Sequence, residues 1–106
     1  MDIDAASLTV TDNQSAGRFE AQVGEHMAIL EYRREGDRIT YTHTLVPEPL
    51  EGHGVAGRLT QVALDAARAE HLSVIPQCSY VAAYIRRHPA YQNLVPLDTK
   101  HLLHQA

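Results

Sequence analysis

Apolar and polar residues alternate through the first half of the chain and fall into a helical period in the second. Leu8-Thr9-Val10-Thr11 is a short β-type run that stops at Asp12-Asn13. Arg18 to Val23 alternates and stops at Gly24. From Met27 to Arg34, Ala28, Leu30 and Tyr32 share one face and Met27, Ile29 and Glu31 the other, because successive strand residues point to opposite sides. Both faces are partly apolar, which predicts a central strand. Glu35-Gly36-Asp37 reads as a hairpin turn. The fourth strand is expected over Arg38 to Val46, with Ile39, Tyr41, His43 and Leu45 on one face and three threonines plus Val46 on the other. Four strands joined by short turns predict an antiparallel meander.

Pro47 and Pro49 end that strand, since each removes a backbone donor. After Gly54, Val55, Leu59, Val62, Ala63 and Ala66 recur at helical spacing, and the run ends near His71. Leu72 to Pro76 predicts a fifth strand. A second helix follows, with Ser79 as its expected cap and Val81, Tyr84, Ile85 and His88 on one face, and Pro89 stops it. The predicted order is β-β-β-β-α-β-α, an α+β domain whose fourth and fifth strands flank a helix and run parallel. Tyr91 to Val95 is expected to pack the C-terminal region back on the domain.

At 106 residues the chain is expected to form one domain. Hydrophobic residues at 44% and charged residues at 21% match a globular composition rather than a disordered one. No apolar run approaches the roughly 20 residues of a membrane helix. The acidic start Met1-Asp2-Ile3-Asp4 does not read as a signal peptide, and a lone cysteine excludes an intrachain disulfide. A cytoplasmic protein is expected. The formal charge of -4 argues against nucleic acid as a partner. That charge is uneven. Residues 1–50 carry nine acids against four arginines, while residues 51–106 carry four acids, five Lys or Arg and five of the seven His. An anionic small ligand would favour the second half.

That half holds the loop Glu51-Gly52-His53-Gly54-Val55-Ala56-Gly57, between a strand and a helix. Glycine permits positive φ and close approach to the backbone. The free amides and dipole of a helix N-terminus favour an anion. The loop is thus a candidate phosphate cradle, or simply a tight connection. Gly52 to Gly57 followed by Arg58-Leu59 lacks the Lys and Ser/Thr of a P-loop. Gly52-x-Gly54-x-x-Gly57 matches a dinucleotide fingerprint, yet Pro76-Gln77 stands where an acidic ribose ligand is needed. Gly54-Val55-Ala56 fits the second half of the pyrophosphate motif of acetyl-CoA-dependent acetyltransferases, in the strand-to-helix context that motif requires.

Further markers follow in order: Glu31-Tyr32, Thr42-His43-Thr44-x-Val46-Pro47, Val74-Ile75-Pro76-x-Cys78-Ser79-Tyr80-Val81, and Tyr84-Ile85-Arg86-Arg87-His88-Pro89-x-Tyr91. On these residues, from about Arg18 to Val95, the chain resembles the GNAT superfamily of N-acetyltransferases, and most closely its small single-domain Yjdj-type subgroup. The resemblance implies a GNAT-type acyl-CoA N-acyltransferase fold, a mostly antiparallel sheet in which the fourth and fifth strands splay apart. Acetyl-CoA would be a substrate and an amine, small or on a protein, the acceptor. The pantetheine arm would pair with the backbone at Leu45 and Val46 like an added strand. The pyrophosphate would lie on the amides of Gly52, His53, Gly54, Val55, Ala56 and Gly57. One departure is Glu51, where the family usually carries Arg, Lys or Gln. A carboxylate there repels a pyrophosphate by about 1 kcal/mol at 4 Å in water-like surroundings. His53 or Arg58 would offset it, or Glu51 would cap the helix in the free protein.

For catalysis the resemblance points to Cys78, as acetyl acceptor or as a group orienting the amine. Read alone, a free cysteine is most often inert and buried. His43 is a candidate base or partner of Cys78, or a structural histidine. Tyr80 and Tyr84 are candidate proton donors to the leaving CoA thiolate, or plain core residues. The Val46 amide is a candidate to polarise the thioester carbonyl. Arg86-Arg87-His88 suits the C-terminal dipole of its helix, with contact to CoA phosphates as the alternative. His101 and His104, three apart, do not suffice for a metal site, and none is expected. A CoA-binding module without turnover and an interaction protein on the same fold are the alternative readings.

Overall fold

A computed structural model of the chain describes residues 3–104. Met1 and Asp2, the first two residues of the acidic start, lie outside them. The strands are β1 (Val10–Asn13), β2 (Arg18–Val23), β3 (His26–Glu35), β4 (Arg38–Leu45) and β5 (Ser73–Pro76), and the helices α1 (Val55–Ala69) and α2 (Ser79–Arg87). Short 3-10 turns cover Ala5–Ser7, Glu48–Leu50, Pro89–Leu94 and Leu97–His104. One mixed sheet runs in the order β1-β2-β3-β4-β5, antiparallel through β4 and parallel between β4 and β5. The fold is α+β in the expected order, and β3 sits at the centre of the sheet.

Alternation dictates the core. Phe19 and Ala21 on β2, Ala28 and Leu30 on β3, and Ile39 and Tyr41 on β4 are buried on one side of the sheet. Helix α1 lies over that side in contact with all five strands, burying Leu59, Ala63, Leu64 and Ala67. Tyr41 donates its hydroxyl to the Ala63 carbonyl at 2.7 Å, so its one polar atom is satisfied inside the core. Beyond α2 the chain turns back. Val95 and Leu103 are buried, and Arg86 donates to the Leu103 carbonyl.

Three local expectations are corrected. β1 begins at Val10 rather than Leu8, because the Leu8 amide is spent closing the preceding turn on the Ala5 carbonyl at 3.2 Å, and it runs through Asn13, whose carbonyl and Oδ1 both accept from the Ala16 amide. Cys78, not Ser79, is the N-cap of α2, and its side chain makes no capping bond. The largest correction concerns β4. Glu31 pairs with His43 and Tyr32 with Tyr41, so Thr42 is an extra residue, a bulge whose hydroxyl donates to the Glu31 carbonyl at 3.3 Å. One inserted residue reverses the facing of everything after it. His43 and Leu45 therefore leave the face of Ile39 and Tyr41, and Thr44 joins it, opposite Leu30.

Candidate active site

The pairing of β4 with β5 ends at Tyr41–Pro76. One further bond, from the Cys78 amide to the Tyr41 carbonyl at 2.8 Å, closes it. β4 continues to Leu45 with its β5-side edge unpaired. β5 has meanwhile ended at Pro76, so the strands part where the fourth runs on.

The glycine loop closes the far side of this opening. Gly52 and Gly54 have φ of +79° and +80°, a region where an L side chain is strained. Gly54 is the N-cap of α1, and no side chain caps the helix. The first backbone bond there is from the Arg58 amide to the Gly54 carbonyl at 3.1 Å, leaving the Val55, Ala56 and Gly57 amides to face outward. Glu51 does not act as a cap, which corrects that expectation.

These parts enclose a cavity of about 290 Å³. Val46, Glu51, Gly52 and Gly54 line it on the loop side, and Val55, Ala56, Gly57 and Tyr80 on the helix side. Leu50, which the sequence did not single out, completes the lining. A Cβ at Gly57 would stand 3.5 Å from the Tyr80 hydroxyl, an ordinary contact distance, so that hydroxyl lies beside the first turn of α1. Tyr84 does not line the cavity, although its ring edge lies 3.9 Å from where a Gly57 Cβ would stand; it stacks on His88 with ring centroids 3.9 Å apart, and burial, chiefly, raises its phenol pKa. Leu45 is 52% exposed and outside the cavity lining, as is the exposed His53. Arg58 is held by other partners, its Nε donating to the Leu8 carbonyl at 3.3 Å and its Nη1 to Gln61 at 3.2 Å. The expected counter-charge to Glu51 is thus engaged by the N-terminal segment.

Cys78 is 8% exposed, and its Sγ lies 3.4 Å from the Thr44 hydroxyl. Thr44, not His43, is the neighbour of the thiol. The bulge has put His43 on the opposite, exposed side of β4 beside Glu31, which corrects the expected pairing of His43 with Cys78. No sequence signal marks Thr44 apart from Thr40 and Thr42. The geometry offers a row of amides for an anion, an unpaired strand edge for an extended ligand, and a thiol–hydroxyl pair and a phenol nearby. Such a set suits acyl transfer.

Residues 18–94 match the family described as GCN5-related N-acetyl-transferase. Over 72 residues the chain is 37% identical to Protein NATD1 of Gallus gallus, an alignment covering 67% of this chain and 66% of that protein. For Protein NATD1 of Homo sapiens the identity and length are the same, with 64% of that protein covered. With Protein NATD1 of Xenopus tropicalis the identity is 29% over 97 residues, 89% of each chain. The chain spans about two thirds of the length of the first of these curated relatives. It also resembles the NMR solution structure of a GCN5-like protein from Staphylococcus aureus, with a TM-score of 0.67 and 24% identity over 86% of this chain and 90% of that one. At that identity the likeness shows the fold. Among the described residues, no helix is long and apolar enough to cross a membrane.

Proposed function

The chain belongs to the GCN5-related N-acetyltransferase family, and on that premise we propose that it transfers an acetyl group from acetyl-CoA to an amine, small or on a protein. The observation that carries this reading is the shared cavity: the uncapped end of α1 and the loop leaving the unpaired end of β4 open into one space. In the proposal the pantetheine arm pairs along β4 toward Leu45 and Val46, and the pyrophosphate takes the Val55, Ala56 and Gly57 amides. The reading extends to a single domain of the Yjdj-type subgroup acting in the cytoplasm.

The amine nitrogen attacks the thioester carbonyl, a C–N bond forms, the C–S bond breaks, and the proton the amine gives up passes through solvent to restore the phenol that protonates the leaving thiolate. The Val46 amide polarises the carbonyl, and Tyr80, which lines the cavity, returns a proton to the CoA thiolate. Cys78 enters in one of two ways. Its thiol takes the acetyl group first and passes it to the amine, or it orients the amine for direct attack. In either case Thr44 holds the sulfur in place.

Glu51 lines the same cavity and places a negative charge where the pyrophosphate goes. Substituting Glu51→Arg is expected to tighten CoA binding about five-fold or more, as removal of about 1 kcal/mol of repulsion implies. Calorimetric titration with acetyl-CoA, CoA and ADP tests the whole reading. Saturable one-to-one binding of both CoA forms, followed by product formation over a panel of amines, supports an enzyme. Binding without turnover supports the CoA-binding module. No binding at millimolar ligand leaves an interaction protein on this fold.

A further inference from the structure

A second cavity, of about 150 Å³, lies at the opposite end of α1, between its last turns and the sheet. Its origin is steric. Phe19, Tyr32 and Tyr41 form an aromatic cluster with centroids 5.5 to 6.4 Å apart. Over this cluster α1 presents Ala66 and Ala67, whose methyl groups leave the space above the sheet unfilled. Ile39 and Leu72 complete an apolar floor. Fifteen helical residues at about 1.5 Å each span about 22 Å, so this space is well separated from the glycine-loop cleft and independent of the function proposed for it.

The rim is polar. Asp12 accepts from the Tyr32 hydroxyl through Oδ1 at 2.6 Å, and Glu70 accepts from Arg34 through Oε1 at 3.1 Å. The second oxygen of each carboxylate has no hydrogen-bond partner among the described residues. Among the described residues Arg34 is the one cation lining the space against two anions, with Gln14 and the two tyrosines as the other polar residues. The phenols below register that negative field. Tyr32 is pushed up to about 12 by burial first, then by its bond to Asp12, with Glu70 adding and Arg34 opposing. Tyr41 is raised by burial, with Asp12 and Glu70 contributing.

We infer that this cavity binds a small organic cation: an ammonium group carried on a single ring or a compact alkyl group, the apolar part above Phe19 and Tyr32 and the ammonium at Asp12 and Glu70. An apolar cavity of about this volume accommodates a benzene ring. A cation near aromatic faces gains further from their quadrupoles. An anion meets net negative charge, and a neutral ring leaves the free carboxylate oxygens unused.

Backbone amide NMR titrations at low salt with benzylamine, benzyl alcohol and benzoate test this, since the three share a ring and differ in charge. Benzylammonium is expected to saturate in the millimolar range, as its few heavy atoms allow, with shifts confined to the strand residues around Asp12, Phe19, Tyr32 and Tyr41 and to the last turns of α1. Benzyl alcohol binds about five-fold more weakly or worse, and benzoate gives no saturable shift. Ala66→Leu fills the space and abolishes binding. Asp12→Asn, at an exposed position that leaves the core untouched, weakens it about five-fold. The inference is overturned if benzoate binds as well as benzylamine, if the shifts map elsewhere or never saturate, or if Asp12→Asn binds unchanged.

Discussion

The two halves of β4 behave as different strands. From Arg38 to Tyr41 the strand is paired on both edges, and Ile39 and Tyr41 are buried. From Thr42 to Leu45 it is paired to β3 alone, and His43 and Leu45 are exposed. The first half holds the sheet and α1 together. The second carries the open edge and the Thr44 hydroxyl beside Cys78. One inserted residue, Thr42, separates them and sets which side chains meet the cleft. The lesson is that a single inserted residue decides which side chains of a strand meet the cleft, with no change of residue type.

Substitutions on either side of the bulge should break the two halves differently. Tyr41→Ala removes a fully buried ring and its bond to Ala63, and is expected to cost about 3–5 kcal/mol. Leu45→Ala, on the exposed half, should stay within about 0.5 kcal/mol. Paired urea denaturation curves check this, and equal losses would mean that the second half is structural as well. Next in size is Gly54→Ala. Its φ of +80° disfavours a side chain, and a Cβ would stand 3.3 Å from that of Ala5. The expected cost is about 1–2 kcal/mol, together with loss of CoA binding in a calorimetric titration.

A smaller effect sharpens the assignment of the thiol's partner. Thr44→Val keeps the shape of the side chain and removes the hydroxyl 3.4 Å from Cys78 Sγ. A net hydrogen bond of about 1 kcal/mol corresponds to about a five-fold lower transfer rate. His43→Ala, on the other face, should change the rate less than two-fold, the scale of a surface substitution. Steady-state rates on the same amine compare the two, and a larger loss at His43 would mean that the acceptor approaches from the outer face with His43 as its base.

Much of this was legible in the chain. The strands and helices follow from periods of two and 3.6, and the glycine loop from Gly52 and Gly54 before an apolar helical run. The bulge was not, because Thr40, Thr42 and Thr44 alternate with Tyr41, His43 and Leu45 without a visible break. An insertion shows only against the partner strand, where Tyr32 meets Tyr41 and Glu31 meets His43. For that reason the sequence pattern alone points His43 toward Cys78 and leaves Thr44 unmarked. The capture of Arg58 by the Leu8 carbonyl was equally hidden, since it joins a side chain to a backbone group fifty residues away. The second cavity depends on two alanines of α1 falling over three aromatics from three strands, a coincidence of tertiary packing.

The last prediction sets the two ends of α1 against each other. At the N-terminal end the left-handed positions are glycines, and a Cβ at Gly52 would meet nothing within 4 Å. Crowding therefore does not explain that glycine; its φ and the clear space in front of the amides do. At the C-terminal end His71 takes φ of +58° just after the helix, while the Leu72 amide donates to the Ala67 carbonyl at 2.9 Å. Geometry of this kind favours glycine, yet the chain carries a side chain there at a cost of about 1 kcal/mol. His71→Gly should recover roughly 0.5–1 kcal/mol, less the added entropy of the unfolded chain, and leave CoA binding unchanged. A thermal melt and a calorimetric titration on one sample check both parts. Greater stability with unaltered binding would mean that the fold tolerates strain at the end of α1 remote from the cleft, while glycines at the cleft end serve the ligand.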